Sequence, residues 1–291
     1  MRADNIAGDL HIHTTASDGT VAVEERISQA REAGLETIAI TDHDTIAPEL
    51  TARRAKFGDI ELITGVEVRA DLLETKIEIL GYYTDPADET LQELLQQARE
   101  YRRERNDEML AALNAATGLD VSRETITSDG ESLGRPHMAE ILMDNDIVPS
   151  IQAAFDEYLA DGADCFVPME RIDSEIIIEA IHSAGGIASL AHPGRINAST
   201  ETVHQMVSQL SDQGLDAIEV WYPYGEGGQR YAGLGQADAA KLADEHELLR
   251  TGGSDCHGPG SSKFRLGSTG VPHQILTKIR TQAMKQRPFA E

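Results

Sequence analysis

Seven short apolar runs constrain this chain more than any other feature of its sequence. They cover residues 10–13, 37–40, 60–68, 76–83, 187–190, 217–221 and 248–251, lengths that suit strands better than helices. Between the first two, Val23, Ile27 and Ala30 recur at helical spacing, and Gly34 supplies a helix stop. Helical segments also separate the last three runs. Such alternation predicts an α/β fold of seven strands, with a parallel sheet and helices outside it.

Five polar clusters accompany the ends of these runs. They are Asp9-Leu10-His11-Ile12-His13, Asp42-His43-Asp44, Gly65-Val66-Glu67, Ala191-His192-Pro193 and Gly253-Ser254-Asp255-Cys256-His257. Enzymes with β/α architecture build their sites at the C-terminal ends of strands. Alternation puts His11 and His13 on one face of a strand, and Asp18-Gly19 can turn a carboxylate back over them. The candidate ligands number nine: His11, His13, Asp18, His43, Glu67, Glu78, His192, Asp255 and His257. Imidazoles mixed with carboxylates suit Zn²⁺, Mn²⁺ or Fe²⁺ better than Ca²⁺. An ion takes roughly four to six ligands, so nine side chains suit two or three ions sharing a bridging carboxylate. Clustered ions activate water and offset charge on phosphate oxygens. There is no Gly-rich phosphate loop of the Walker kind and no Gly-x-Ser-x-Gly elbow, which disfavours nucleoside triphosphatases and α/β hydrolases.

The β/α rhythm breaks after Glu89. A long polar helix with Leu91, Leu94, Leu95 and Ala98 on one side is followed by a Gly134-Arg135-Pro136 loop and a second helical tract over residues 137–161. Residues 90–170 are therefore expected to form a helical insertion capping the site, with 1–89 and 171–291 forming the metal-binding domain. Ser174 is a plausible helix N-cap, and Gly185-Gly186 a plausible stop, where the rhythm resumes.

Charge bounds the partners. Fifty acids against 25 bases give a formal net charge of −25, and only six of the bases are lysines. Acid spread along the whole chain predicts a halophilic surface, where salt screens repulsion over about 3 Å at 1 M; an ordinary acidic enzyme is the alternative. Either way the field repels long duplex nucleic acid. No apolar run nears the roughly 20 residues that span a bilayer, and residues 1–5 lack a signal-peptide pattern. A soluble, cytoplasmic protein with no membrane partner is expected. Cys165 and Cys256 are expected to be free thiols.

In order and spacing, His11-x-His13, Asp42-His43, Gly65-Val66-Glu67, Ala191-His192-Pro193 and Gly253-Ser254-Asp255-Cys256-His257 resemble the PHP (polymerase and histidinol phosphatase) family over about residues 8–268. The resemblance implies a distorted seven-stranded β/α barrel with a two- or three-metal phosphoesterase site. Residues Gly134-Arg135-Pro136-His137, 154–159 and Asp216-Ala217-Ile218-Glu219-Val220 resemble one branch, the nucleoside 3′,5′-bisphosphate phosphatases that also trim short RNA from the 5′ end. By that resemblance, His11, His13, Glu67 and Asp255 hold one ion; Glu67, residue 78 and His192 a second; Asp18, His43 and His257 a third. The catalytic water is then the one activated among His11, His13, Glu67, His192, Asp255 and His257, while Arg135 and His137 bind substrate phosphate. The family usually has histidine where this chain has Glu78. Its oxygen shifts the expected metal toward Mn²⁺ or Mg²⁺ and away from Zn²⁺. For Glu78 a solvent-facing strand residue is the competing reading, and for Arg135 a local salt bridge.

The expected partner is a small phosphorylated substrate, a nucleotide or short RNA. Histidinol-phosphate phosphatase is the nearest alternative activity, and a non-catalytic metal-binding regulatory module is the alternative class. Arg99, Arg102, Arg103 and Arg105 either line a substrate channel or form a solvated helix face. His182, His204, His246 and His273 are expected to be ordinary structural or surface residues, and strand alternation turns Cys256 away from its neighbouring ligands.

Overall fold

Strand β1 (Gly8–Ile12) lies beside β2 (Thr37–Ile40), and both are buried along their whole length in the computed structural model. That structure describes residues 6–126, 133–224, 233–263 and 265–289. The helix Val23–Glu32 connects the two strands. Gly34 follows it at φ 72, a left-handed conformation that glycine adopts without penalty. Val23, Ile27 and Ala30 pack on Ile12, Ile38, Ile40, Ile60 and Leu62, so the spacing read from sequence buries one helix face against the sheet.

The remaining strands are β3 (Arg54–Phe57), β4 (Ile60–Leu72), β5 (Thr75–Tyr82), β6 (Ile172–Asp173), β7 (Ile187–Leu190), β8 (Ala217–Trp221) and β9 (Leu249–Gly252). They form one sheet in the order β1-β2-β4-β5-β7-β8-β9, with β3 and β6 pairing with β4 off that path. The seven strands of the path are the seven apolar runs. β3 and β6 are additions that the sequence reading did not contain. The sheet is also mixed rather than parallel: β5 runs antiparallel to both β4 and β7. A tight reversal at Leu73-Glu74 explains this, with both residues in the left-handed region (φ 50 and 59). The sheet curls until Ile12 at one end bridges Cys256, just beyond β9 at the other.

Behind it, the C-terminal helix His273–Gln286 sends Leu276, Ile279 and Ala283 into a core with Leu10, Ala39, Ile63, Leu80 and Ile187. Each such fully buried large side chain contributes roughly 1.5–3 kcal/mol.

Two compact units are present. One comprises residues 1–96 and 172–291, the other 97–171. The boundary falls inside the unbroken helix Glu89–Thr117, so no proline or glycine marks it. The second unit has its own core, in which Met109, Leu113, Met138, Leu142, Leu159 and Cys165 are buried together. Among the described residues no helix is long and apolar enough to cross a membrane.

Candidate metal centre

Glu67 lies midway along β4, not at a strand end as the sequence reading had it. Its Oε1 lies 3.4 Å from His11 Nε2 and 3.1 Å from His192 Nε2; its Oε2 lies 3.4 Å from His13 Nε2 and 3.1 Å from His43 Nδ1. One carboxylate thus faces four imidazoles. Asp255 Oδ1 stands 3.7 Å from His11 Nε2, 3.3 Å from His13 Nε2 and 3.4 Å from His257 Nδ1. Asp18 joins from the other side, 3.5 Å from His13, 3.7 Å from His43 and 3.4 Å from His257. Glu78 presents Oε2 to His192 Nε2 at 3.4 Å and Oε1 to Lys76 Nζ at 2.7 Å, so it faces this cluster rather than solvent.

All nine sequence candidates meet here, in four overlapping groups. These are His13, Asp18, His43 and His257; His11, Glu67 and His192; His11, His13 and Asp255; and His43, Glu67 and Glu78. Within each group the potential ligand atoms lie within 4.8 Å of one another. Glu78 groups with His43 as well as with Glu67, a pairing that the sequence reading did not contain.

The residues fit divalent ions. His11 Nε2, both ring nitrogens of His13, and His43 Nδ1 are buried without a hydrogen-bond partner, although carboxylate oxygens stand near them. Leaving buried polar atoms unpaired costs about 1–3 kcal/mol each, which ions between those nitrogens and oxygens would relieve. Mixed nitrogen and oxygen donors match Mn²⁺, Fe²⁺ or Zn²⁺.

The surroundings keep the carboxylates charged. Burial opposes ionisation of Glu67, but the His11 and His43 imidazoles hold it well below the usual carboxylate range. Burial likewise opposes Asp255, which Lys263 and His11 outweigh. Burial and Glu67 oppose ionisation of Glu78, but Lys76, His192 and His43 together hold it at about 2. The histidines diverge. Burial, reinforced by His257 and His43, lowers His13 to about 4, leaving it neutral and able to ligate. At His11, burial is overcome by Glu219, Glu67 and Asp255, which raise it well above its ordinary value.

Several supports were not recognised from sequence. Glu219, fully buried on β8, accepts from His11 Nδ1 at 3.1 Å through Oε1 and from the His192 backbone N–H at 2.8 Å through Oε2. In the neutral ring this leaves His11 Nε2 as the ligating atom. It also steadies His192, whose φ of 26 is a strained backbone conformation for a residue other than glycine. Its signals in the sequence are an acid inside an apolar strand and its place in the Asp216-Ala217-Ile218-Glu219-Val220 segment, neither of which assigns it a role. Asp42 accepts from Thr14 N–H and Thr14 hydroxyl, both at 2.7 Å, and from Ser17 Oγ at 2.6 Å, fixing the loop that carries Asp18. Asp9 accepts from Ser254 N–H at 2.9 Å, Ser254 Oγ at 2.5 Å and Gly267 N–H at 2.8 Å, tying β1 to the segment that carries Asp255. A side chain at Gly253 would run into the His11 backbone, so glycine permits that approach.

Arg135 and His137 belong to the other unit, in the first turn of the helix Arg135–Asp144. Arg135 Nη1 donates to the Leu159 carbonyl at 3.4 Å, lies 3.7 Å from Asp161, and sits 5.8 Å from the Phe155 ring centroid. A π-helical turn, Phe155–Leu159, presents both that ring and that carbonyl. His137 Nδ1 accepts from Gly134 N–H at 3.0 Å, which puts the proton of the neutral ring on Nε2. Of the four-arginine cluster, Arg105 is largely buried and donates to the Val167 carbonyl at 3.0 Å, while Arg103 is exposed. Both cysteines are free, and Cys256 Sγ faces Arg26 at 3.3 Å. His182 pairs with Asp216 and His273 with Glu36, each at 2.7 Å.

The PHP domain model matches residues 9–160. The 5′-3′ exoribonuclease Rnm of Escherichia coli strain K12 is 34% identical over 257 residues, covering 86% of this chain and 85% of that protein. A 3′,5′-nucleoside bisphosphate phosphatase of Chromobacterium violaceum is 31% identical over 265 residues, covering 90% of each. A Chromobacterium violaceum structure described as an amidohydrolase with bound sulfate and no metal superposes with a TM-score of 0.76 at 28% identity, covering 95% of this chain and 96% of that one. On these matches the chain belongs to the PHP domain family, as a metal-dependent phosphoesterase.

Proposed function

We propose that this enzyme removes phosphate from nucleoside 3′,5′-bisphosphates and trims short 5′-phosphorylated oligoribonucleotides. The observation that carries the reading is the overlap of four ligand groups on Glu67, His11, His13 and His43. Shared ligands hold ions close together, the arrangement that suits in-line displacement at phosphorus. The substrate class comes from the exoribonuclease and bisphosphate phosphatase relatives.

Bound divalent ions, two or three with Mn²⁺ favoured by the oxygen donor of Glu78, supply Lewis acidity for water and phosphate. Glu67, which belongs to two of the ligand groups, would help to hold more than one of them. Glu219 holds the His11 tautomer, and Asp255 offers Oδ1 while Tyr222 and Lys263 occupy Oδ2. Histidines that ligate ions cannot also protonate the leaving oxygen, so that proton comes from another group or from solvent. Arg135 and His137 are assigned to the phosphate remote from the one being hydrolysed. The acid-rich surface is read as adaptation to concentrated salt.

The test is a panel of a nucleoside 3′,5′-bisphosphate, a 3′-monophosphate, histidinol phosphate and short RNA, with Mn²⁺. The bisphosphate and RNA should be turned over fastest; preference for histidinol phosphate would overturn the reading. Arg135→Ala should lower kcat/KM on the bisphosphate by about 10- to 100-fold, or ~1.4–2.8 kcal/mol, and change the monophosphate less than about twofold. Equal losses on both would remove Arg135 from the remote site.

A further inference from the structure

Tyr222, one residue past β8, is a buried hydroxyl between two cations. Its O–H donates to Asp255 Oδ2 at 2.8 Å, and its oxygen accepts from Arg195 Nη1 at 2.9 Å. Lys263 donates to the same Asp255 oxygen. The Arg195 guanidinium carbon and the Lys263 ammonium lie 5.9 Å and 5.8 Å from the Tyr222 ring centroid. The ring edge rests on His192, with centroids 5.2 Å apart.

Arg195 ends the short turn Pro193–Arg195 that follows His192, so it is placed three residues from a cluster histidine. Asp255 and Glu78 both act on its charge. Even so, among the described residues the side chain makes no ion pair, and Tyr222 is its only hydrogen-bond partner. In a chain with 50 acids and 25 bases, a partly buried arginine near Asp255 and Glu78 would be expected to pair with one. Here a neutral hydroxyl holds one of its five N–H donors, and the other donors of the planar fork have no partner among the described residues.

We infer that Arg195, held by Tyr222 and flanked by Lys263, binds the non-bridging oxygens of the phosphate undergoing hydrolysis. This rests on the phosphoesterase reading of the same centre. Ions can engage some oxygens of a tetrahedral phosphate, and the others need donors placed in advance, for which a guanidinium fork is well shaped. Tyr222 is then a positioning residue. It orients Asp255 on one side and Arg195 on the other, and among the described residues no carboxylate competes for the fork.

The test uses full-length, Mn²⁺-loaded protein with inorganic phosphate as the binding probe. Arg195→Gln should retain the wild-type number of ions per chain and weaken inorganic phosphate about tenfold or more. It should lower kcat/KM by about 100-fold on the mono- and bisphosphate alike. That sets it apart from Arg135→Ala, whose effect needs the second phosphate. Arg195→Lys, which keeps charge without the fork, should fall between, and Tyr222→Phe should raise KM for both substrates several-fold with the ion count unchanged. Wild-type phosphate affinity in Arg195→Gln, a loss confined to the bisphosphate, or a parallel loss of ions would each overturn the inference. Were the wild type to hydrolyse none of the panel yet bind phosphate through Arg195, the activity reading would fail and the binding site would stand. Normal turnover that is indifferent to Arg195 gives the reverse.

Discussion

Glu67→Gln should cost more than about 10³-fold in kcat, or ~4 kcal/mol, and at least one bound ion per chain, while leaving the protein folded. The substitution keeps the shape of the side chain. It removes the charge that four imidazoles face and replaces one oxygen with an NH₂ group that cannot ligate. Whichever oxygen is replaced, two of those imidazoles lose their facing acceptor. Elemental analysis and turnover on the same sample check this. A variant with the wild-type ion count and a rate within tenfold of wild type would contradict the bridging role.

The largest effect on stability is expected at a residue remote from substrate. Arg26 is fully buried in the helix Val23–Glu32. Its Nε and Nη2 donate to the His13 carbonyl at 3.1 Å and 2.8 Å, Nη2 also donates to the Cys256 carbonyl at 3.1 Å, and Nη1 reaches Gln29 Oε1 at 3.1 Å. One side chain therefore joins the two ligand-bearing segments where the curled sheet meets itself. Arg26→Ala strips buried carbonyls of their donors and leaves a cavity, which should destabilise by about 3–5 kcal/mol. In a domain of this size that lowers Tm by roughly 10 °C. Denaturant and thermal melts of chelated protein measure it without contribution from ions. A loss under about 1 kcal/mol would mean that water or a shifted helix replaces those bonds.

Arg26 also shows where sequence reading ends. It occupies the buried face of its helix, at the spacing of Val23, Ile27 and Ala30, but an arginine there is legible only once the carbonyls it serves have been located. Glu219 and Asp9 share that property, because their partners lie at His192 and Ser254, far along the chain. Most strands of the main path were legible because burial on both faces writes an apolar run, as in Thr37–Ile40 and Ile187–Leu190. β3 was not, since the half-exposed Arg54-Ala55-Lys56-Phe57 carries no apolar pattern, and β6 has only two residues. The reversed direction of β5 was hidden too. An apolar run has no polarity, and the Leu73-Glu74 turn lacks the glycine or asparagine that usually announces one. The nine candidates were legible because imidazoles and carboxylates recur together beside separate strand-forming runs. The grouping of Glu78 with His43 was not, as it depends on β5 lying antiparallel beside β4.

We propose that several ions act together at one centre. This is tested most directly by stripping the protein with chelator, titrating Mn²⁺ back, and counting ions per chain while phosphate release from a nucleoside 3′,5′-bisphosphate is followed. Turnover should be absent from the stripped protein and should appear as the second ion binds. Undiminished turnover in stripped protein, or turnover that saturates with a single ion per chain, would contradict it.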